Sequence, residues 1–321
     1  MYGNTLGAMN CERVTQLPLG KGLVTALYYG QAKDLLLTSL FCSYNDQESM
    51  VAEVTNRLNH LVLIKGGGDI ATGIAHRLYQ SGFPIVMTEL PRPTMVRRSV
   101  AFAQAVFDGQ MKVEGILAKR VELHKLQNAL LAGYIPVVVD EHAECIPILK
   151  PRVIVDAIIA KRNIGTRLDD AAIVIGIGPG FTAKVDVHAV VETMRGHHLG
   201  RVFYDGSALA DTGIPGEIAG YTSERLLRSP ASGPFVSCRS IGDTVCAGET
   251  VGYVSGIEAK SAIAGILRGL IQDGIDVLPG MKIGDVDPRC CKEHCFTISD
   301  KARAVAGGVL EAVLHFNKMG Y

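Results

Sequence analysis

The chain has 321 residues, enough for two domains with separate cores, because a single hydrophobic core stops growing near roughly 300 residues. Its 32 lysines and arginines balance 32 aspartates and glutamates, so no global field recruits nucleic acid or an anionic membrane, and any anion site must be local. No apolar run reaches the roughly 18 residues that span a bilayer, and the opening MYGNTLGAMNCERV lacks a basic-then-apolar signal pattern, so a cytoplasmic protein with no membrane role is expected.

Residues 1–59 form an N-terminal extension without a clean motif: LVTALYY and LLLTSLF are apolar runs, and ESMVAEVTNRLNH has helical spacing. From Leu61 the pattern sharpens. LVLIK reads as a buried strand, GGGD as a turn, IATGIAHRLYQSG as a helix closed by Gly82, and PIVMTE as a second strand. Helical spacing returns in SVAFAQAVFDG, ending at Gly109, and in ELHKLQNALLAGY; MKVEGI, IPVVVD, RVIVDAII and AAIVIGIGPG read as strands. This alternation predicts an α/β fold over residues 60–205, a Rossmann-like, mostly parallel sheet covered on both faces. Residues 206–234 are a Gly/Pro-rich connection, and residues 235–289 carry short strands with closely spaced glycine turns, an all-β module. Residues 290–321 hold a closing helix with Ala302, Val305, Ala306, Val309, Leu310 and Val313 on one stripe behind a Ser299 or Asp300 cap. Gly307 and Gly308 weaken that helix, which implies a close backbone approach.

Four polar segments stand out. In GGGDIATG, Gly66, Gly67 and Gly68, with Ala71 in the third place of G-x-G-x-x-G/A, let backbone amides approach a phosphate at a helix start, where Thr72 also lies. Glu89, 23 residues after Gly66, ends the second strand, where a carboxylate accepts from an unphosphorylated ribose. Asp69 competes with a phosphate for the same positive helix end and otherwise serves as a cap. The alternative is a tight turn with no ligand. PRPTMVRRSVAF supplies Arg92, Arg97 and Arg98, whose forks match phosphate, against a plain solvated basic loop. VIVDAIIAKRNIGT supplies Asp156, Lys161, Arg162 and Asn163, and VIGIGPGF supplies Gly176, Gly178 and Gly180 around Pro179. These last two leave strands expected in one sheet with the first glycine loop, so the three loops are expected to converge on one crevice and contact one ligand; a capped loop with solvated charges and a turn stiffened by Pro179 are the alternatives.

His197 and His198 are adjacent and point apart on any regular element, so a structural role is expected. Cys290, Cys291, His294 and Cys295 cluster without C-x-x-C spacing, so no metal site is expected. The remaining cysteines, Cys11, Cys42, Cys145, Cys238 and Cys246, are scattered, and reduced thiols are the default. No nucleophile elbow or triad is evident, and no catalytic residue is assigned.

The ordered motifs KGGGDIATGIAHRLYQSGF, TELPRPTMVRRSVAFAQAV, VDAIIAKRNIGT, GIGPGFTAKVDVHAVVETMRGHHLGRV, DTGIPGEIAGYTSERLLRSP, ILRGLIQDGIDVLPGMKIGDVDPR and ISDKARAVAGGVLEAV resemble the YqeB-type accessory proteins of selenium-dependent molybdenum hydroxylases, a bacterial family. The likeness covers roughly residues 60–321; residues 1–59 are an added element, or the start lies further in, for example at Met50. What the resemblance implies is hydroxylase maturation: binding molybdopterin or its cytidine dinucleotide form, with a molybdenum hydroxylase apoenzyme and a selenium or sulfur donor protein as partners. Self-association into a homo-oligomer is left open. The β-module also resembles biotinyl and lipoyl carrier domains, through IGDTVCAGETVGYV and GIDVLPGMKIGDV; Lys260 lacks the usual methionine neighbours, so the barrel-sandwich shape is expected without the modification. Two other functions compete: an NAD-dependent oxidoreductase, from Gly66, Gly68 and Glu89, and a carrier or scaffold built on the β-module.

Overall fold

The computed structural model describes the backbone of residues 13–19, 22–29 and 34–38, and residues 59–320 with the side chain of Gln127 apart. Most of ESMVAEVTNRLNH, together with Cys11, Cys42 and Met50, lies outside the described residues. Chain contacts divide the protein into one unit of residues 1–59 with Leu131–Gly133 and a second of His60–Leu130 with Tyr134–Tyr321. In the first, β1 (Arg13–Leu19), β2 (Gly22–Tyr29) and β3 (Asp34–Thr38) form an antiparallel meander in which Gln16 faces Thr25 and Thr25 faces Thr38. LVTALYY is β2, because β-branched and aromatic residues suit a pleated ribbon.

The second unit is built on a nine-stranded mixed sheet. Its strands are β4 (Val62–Lys65), β5 (Ile85–Glu89), β6 (Gln110–Val113), β7 (Ile116–Arg120), β8 (Ile135–Val139), β9 (Val153–Asp156), β10 (Ile173–Ile177), β12 (Ala189–Val191) and β13 (Val202–Phe203). They lie in the order β13-β12-β10-β9-β4-β5-β8-β7-β6, parallel from β12 to β7 and antiparallel at both edges. β11 (Thr182–Ala183) and β14 (Gly206–Ser207) make a separate two-stranded ribbon. The apolar strands are buried on both faces, but the two coverings differ. Helices α1 (Asp69–Gln80) and α2 (Asp300–Lys318) lie with Val62, Ile64, Val155 and Ile175 in one core. On the other face Leu63, Ile154 and Val174 pack under Leu126, Cys145 and Phe181, from short turns and loops.

The predicted Rossmann-like α/β fold is therefore corrected: the unit is mostly β, a large mixed sheet joined to antiparallel sheets, with long helices on one face only. The helical spacing of SVAFAQAVFDG and ELHKLQNALLAGY breaks into single turns, Arg98–Val100, Phe102–Gln104 and Ala105–Asp108 in the first, Leu123–Lys125 and Leu126–Ala129 in the second. Arg97 and Arg98 are pulled outward to tertiary partners in the first of these, and helices this short are not self-sustaining.

The β-module comprises two four-stranded antiparallel sheets. One has the order β15 (Leu226–Arg228), β22 (Lys282–Asp287), β20 (Gly265–Leu270), β17 (Thr244–Val245), and the other β19 (Ile257–Lys260), β18 (Thr250–Val254), β16 (Gly233–Ser237), β21 (Asp276–Val277). Leu227, Phe235, Val254, Leu267 and Ile283 fill the space between them. The carrier-like barrel-sandwich reading is corrected as well. The β18–β19 hairpin turns at Ser255 and Gly256, both at positive φ, while Lys260 stands at the far end of β19, ion-paired with Glu258 at 2.7 Å. A carrier would need its lysine at the turn.

The closing helix forms as its pattern predicts. The Ser299 hydroxyl accepts from the Ala302 amide at 3.1 Å, and Ala302, Val305, Ala306, Val309 and Val313 are buried, with Leu310 half-buried. Gly73 of α1 meets Ala302, whose Cβ leaves no room for a side chain there, so the two helices pack closely. Gly308 abuts the Gly200 carbonyl and Val191, the close approach its sequence position implies.

Candidate functional site

The carboxyl ends of β4, β5 and β9 open into a cleft of about 1320 Å³, walled on its far side by α2 and the β-module. Its floor follows from the chain's turns. Gly66, at φ +94°, stands against the Ala157 carbonyl, and a Cβ on Gly67 would come within 2.9 Å of the Ala103 amide nitrogen. These glycines are needed for chain packing irrespective of a ligand. The Gly67 amide donates to Glu89 Oε2 at 2.7 Å and the Leu90 amide to Glu89 Oε1 at 2.8 Å. Burial raises the pKa of this carboxyl, and the two amides oppose that rise.

The sequence-predicted residues divide between cleft and framework. Gly66, Gly67, Gly68, Asp69, Glu89, Arg97 and Lys161 line the cleft. Thr72 is buried in the framework, where its hydroxyl accepts from the Phe102 amide and donates to the Gly67 carbonyl. Arg98 leaves the cleft for the β-module, donating to the Leu270 carbonyl at 2.7 Å and to Gln272 at 2.6 Å. Arg92 likewise donates to the Gly274 carbonyl and pairs with Asp276 at 3.5 Å. Asp156 is buried and accepts from the Thr166 hydroxyl at 2.6 Å, which in turn accepts from Lys65 Nζ at 2.6 Å. Asn163 shapes its own loop by accepting from the amides of Gly165 and Thr166, and Arg162 is exposed. Gly176, Gly178 and Gly180 make room for Phe181, Thr193 and Arg162, and of that loop Pro179 reaches the cleft. The cleft thus takes some residues from each of the three loops.

Several lining residues carry no motif. Lys301 enters from the first turn of α2, Arg268 from the apolar strand GILRGL, and Arg225 and Lys282 from β15's approach and β22. A lysine in a helix's first turn opposes the macrodipole, and an arginine in a wholly buried strand needs a reason; those were the available signals. Arg97 is 6 % exposed, donates to the carbonyls of His294 and Thr297, and lies 3.4 Å from Asp69. Arg268 and Lys301 lie within electrostatic reach of the same Asp69 carboxylate. Burial lowers the pKa of Arg268, and the like charge of Arg97 lowers it further; burial is also the main cause that lowers Lys301. The same cleft is also lined by the exposed side chains of Leu90, Ile158, Ile164, Leu209 and Ile214.

Among the described residues, no group of three or more His, Cys, Asp or Glu is arranged to hold a metal ion, Cys290 and Cys291 included. Nor is any described helix long and apolar enough to cross a membrane.

No protein-family model matches the chain. Among solved structures it is similar to a succinylglutamate desuccinylase/aspartoacylase from Rhodobacter sphaeroides at 13% identity and a TM-score of 0.23, over 71% of this chain and 85% of that one, a likeness too slight to bear on fold or activity. Among curated proteins it is 48% identical over 266 residues, 82% of this chain, to the uncharacterized protein YqeB of Escherichia coli (strain K12). The chain spans about half the length of that relative, 49% of it, and the YqeB-type likeness read from the motifs is supported at this level of identity.

Proposed function

We propose that the protein is an accessory factor that holds a phosphorylated, ring-bearing ligand of the molybdopterin type, or its cytidine dinucleotide form, and assists assembly of a selenium-dependent molybdenum hydroxylase. The observation that carries the ligand class is the mixed lining of the cleft: Arg97, Arg268 and Lys301 together with the exposed aliphatic side chains of Leu90, Ile158 and Leu209. Cations suit phosphate, and exposed aliphatic side chains suit the faces of a heterocycle. The assembly role rests on the YqeB-type motifs.

The test is thermal unfolding of the full chain with molybdopterin, its cytidine dinucleotide form, CTP, NAD and NADP, followed by activation of a hydroxylase apoenzyme. A pterin ligand at 100 times its dissociation constant stabilises by about 2.7 kcal/mol, a shift of a few degrees in a protein of this size. Stabilisation by NAD alone would instead favour the oxidoreductase alternative. Neither a pterin-dependent shift nor any effect on the apoenzyme would end the maturation reading.

A further inference from the structure

Arg268 is 7 % exposed, and its surroundings leave its charge poorly served. Its Nε reaches the His294 carbonyl at 3.4 Å, and its two terminal nitrogens donate no hydrogen bond to a described residue. The nearest carboxylates, Asp285 at 3.8 Å and Asp287 at 3.9 Å, are beyond hydrogen-bond reach. Each is already committed to a closer arginine: Asp285 to Arg225 at 2.5 Å, Asp287 to Arg289 at 2.6 Å. A buried guanidinium with donors to spare is costly unless something accepts from them.

Lys301 of α2 repeats the pattern. It is half-buried and lines the cleft, and its ammonium makes no hydrogen bond or ion pair with a described residue. Its place in the first turn of α2 adds repulsion from the helix macrodipole, and Arg195 and Lys282 add like charge. Arg97, which also lines the cleft, stands near Arg268. Asp69 lies within electrostatic reach of all three cations, with Asp285 and Asp287 also near Arg268 and Glu192 near Lys301. Asp69 also opens α1, whose first-turn amides have no intrahelical acceptor and border the same space.

We propose that Arg268 and Lys301, with Arg97 and the first turn of α1 beside them, seat a phosphate or pyrophosphate group of the ligand. This rests on the ligand-binding reading of the cleft but places the anion away from the Gly67 amide, which Glu89 already occupies. The planar guanidinium supplies two parallel donors, and the ammonium supplies a point charge; together they match the oxygens and charge of a phosphate dianion.

The experiment is calorimetric titration of the full-length protein with inorganic phosphate and with pyrophosphate, for the wild type, Arg268→Gln, Lys301→Met and Lys184→Met. Lys184 pairs with Asp205 at 2.9 Å outside the cleft and controls for loss of one positive charge. Pyrophosphate binding is expected, weakened at least about tenfold by Arg268→Gln and by Lys301→Met, the loss of roughly 1.4 kcal/mol, and unchanged by Lys184→Met. Lys301→Met is also expected to raise the melting temperature of the unliganded protein, because it removes a desolvated, unpaired charge; this readout stands even if Arg268→Gln fails to fold. Absence of phosphate and pyrophosphate binding, equal losses in all three variants, or full affinity in Lys301→Met would each overturn the proposal. The outcomes separate from those of the cofactor reading. Pyrophosphate bound without any pterin effect keeps the seat and rejects molybdopterin, whereas molybdopterin bound equally by wild type and Lys301→Met keeps the cofactor and rejects the seat.

Discussion

Asp287, only 1 % exposed at the end of β22, accepts from Arg289 Nε at 2.9 Å and from Arg289 Nη2 at 2.6 Å, with His294 Nδ1 3.6 Å away. Burial acts to raise its pKa, but the Arg289 hydrogen bonds, the Arg289 amide and the charge of Arg268 together bring it down to about 2 from an ordinary 3.8. A carboxylate whose folded pKa lies below its unfolded one stabilises the fold above the unfolded value, and that contribution disappears as pH falls through the folded value. Asp287→Asn should therefore cost on the order of 3 kcal/mol at neutral pH, because it removes the charge that Arg289 pairs with and that the buried Arg268 faces. The gap to wild type should close between about pH 4 and pH 2. Urea unfolding at pH 7, 4, 3 and 2 measures this; a gap independent of pH would mean that the residue acts through packing and not through charge.

Within the closing helix α2, two adjacent glycines have opposite surroundings. Gly307 faces open space, whereas Gly308 is pressed against the Gly200 carbonyl and Val191. Gly307→Ala should stabilise the protein by roughly 0.5–1 kcal/mol through helix propensity, and Gly308→Ala should destabilise it by about 1–3 kcal/mol by forcing the helix off the sheet edge. Thermal unfolding of the two variants decides; the same sign for both would show that the close approach is not what holds Gly308. This helix illustrates what the sequence made legible. Ser299, the stripe from Ala302 to Val313 and the glycine pair are local signals, and so are β4, the glycine turn, α1 and β5. Elements stabilised by distant partners were not legible. SVAFAQAVFDG has helical spacing, but Arg98, just before it, is held by Leu270 and Gln272, 172 and 174 residues away, and the segment is bent into separate turns. The site divides in the same way. Its glycine loop has a motif, while Arg268 and Lys301 reach the cleft through the sheet order and the helix docking, which no short window contains.

At the scale of the second unit, the arginine loop after β5 links the mixed sheet to the β-module. The Leu270 amide donates to the Val96 carbonyl at 2.7 Å, Arg98 Nε donates to the Leu270 carbonyl at 2.7 Å, and Gly269 lies against Val96 with no room for a side chain. Gln272, held by Arg98, also accepts from Gln104, tying the next turn into the same joint. Residues first expected to grip a phosphate instead fix the wall that carries Arg268 relative to the floor that carries Asp69. The cleft's shape then depends on this joint, because its two sides come from different sheets. Arg98→Ala should cost about 1–3 kcal/mol, since it leaves the Leu270 carbonyl and Gln272 short of a charged donor. Hydrogen exchange locates the effect: the Leu270 amide should exchange faster than in wild type while the Ile64 amide in β4 keeps its rate, because opening at the joint does not require the central sheet to unfold. Equal acceleration at both positions would mean that the joint opens only with global unfolding, and unchanged exchange at Leu270 would mean that the Val96 contact and Gly269 packing hold the two sheets together without Arg98.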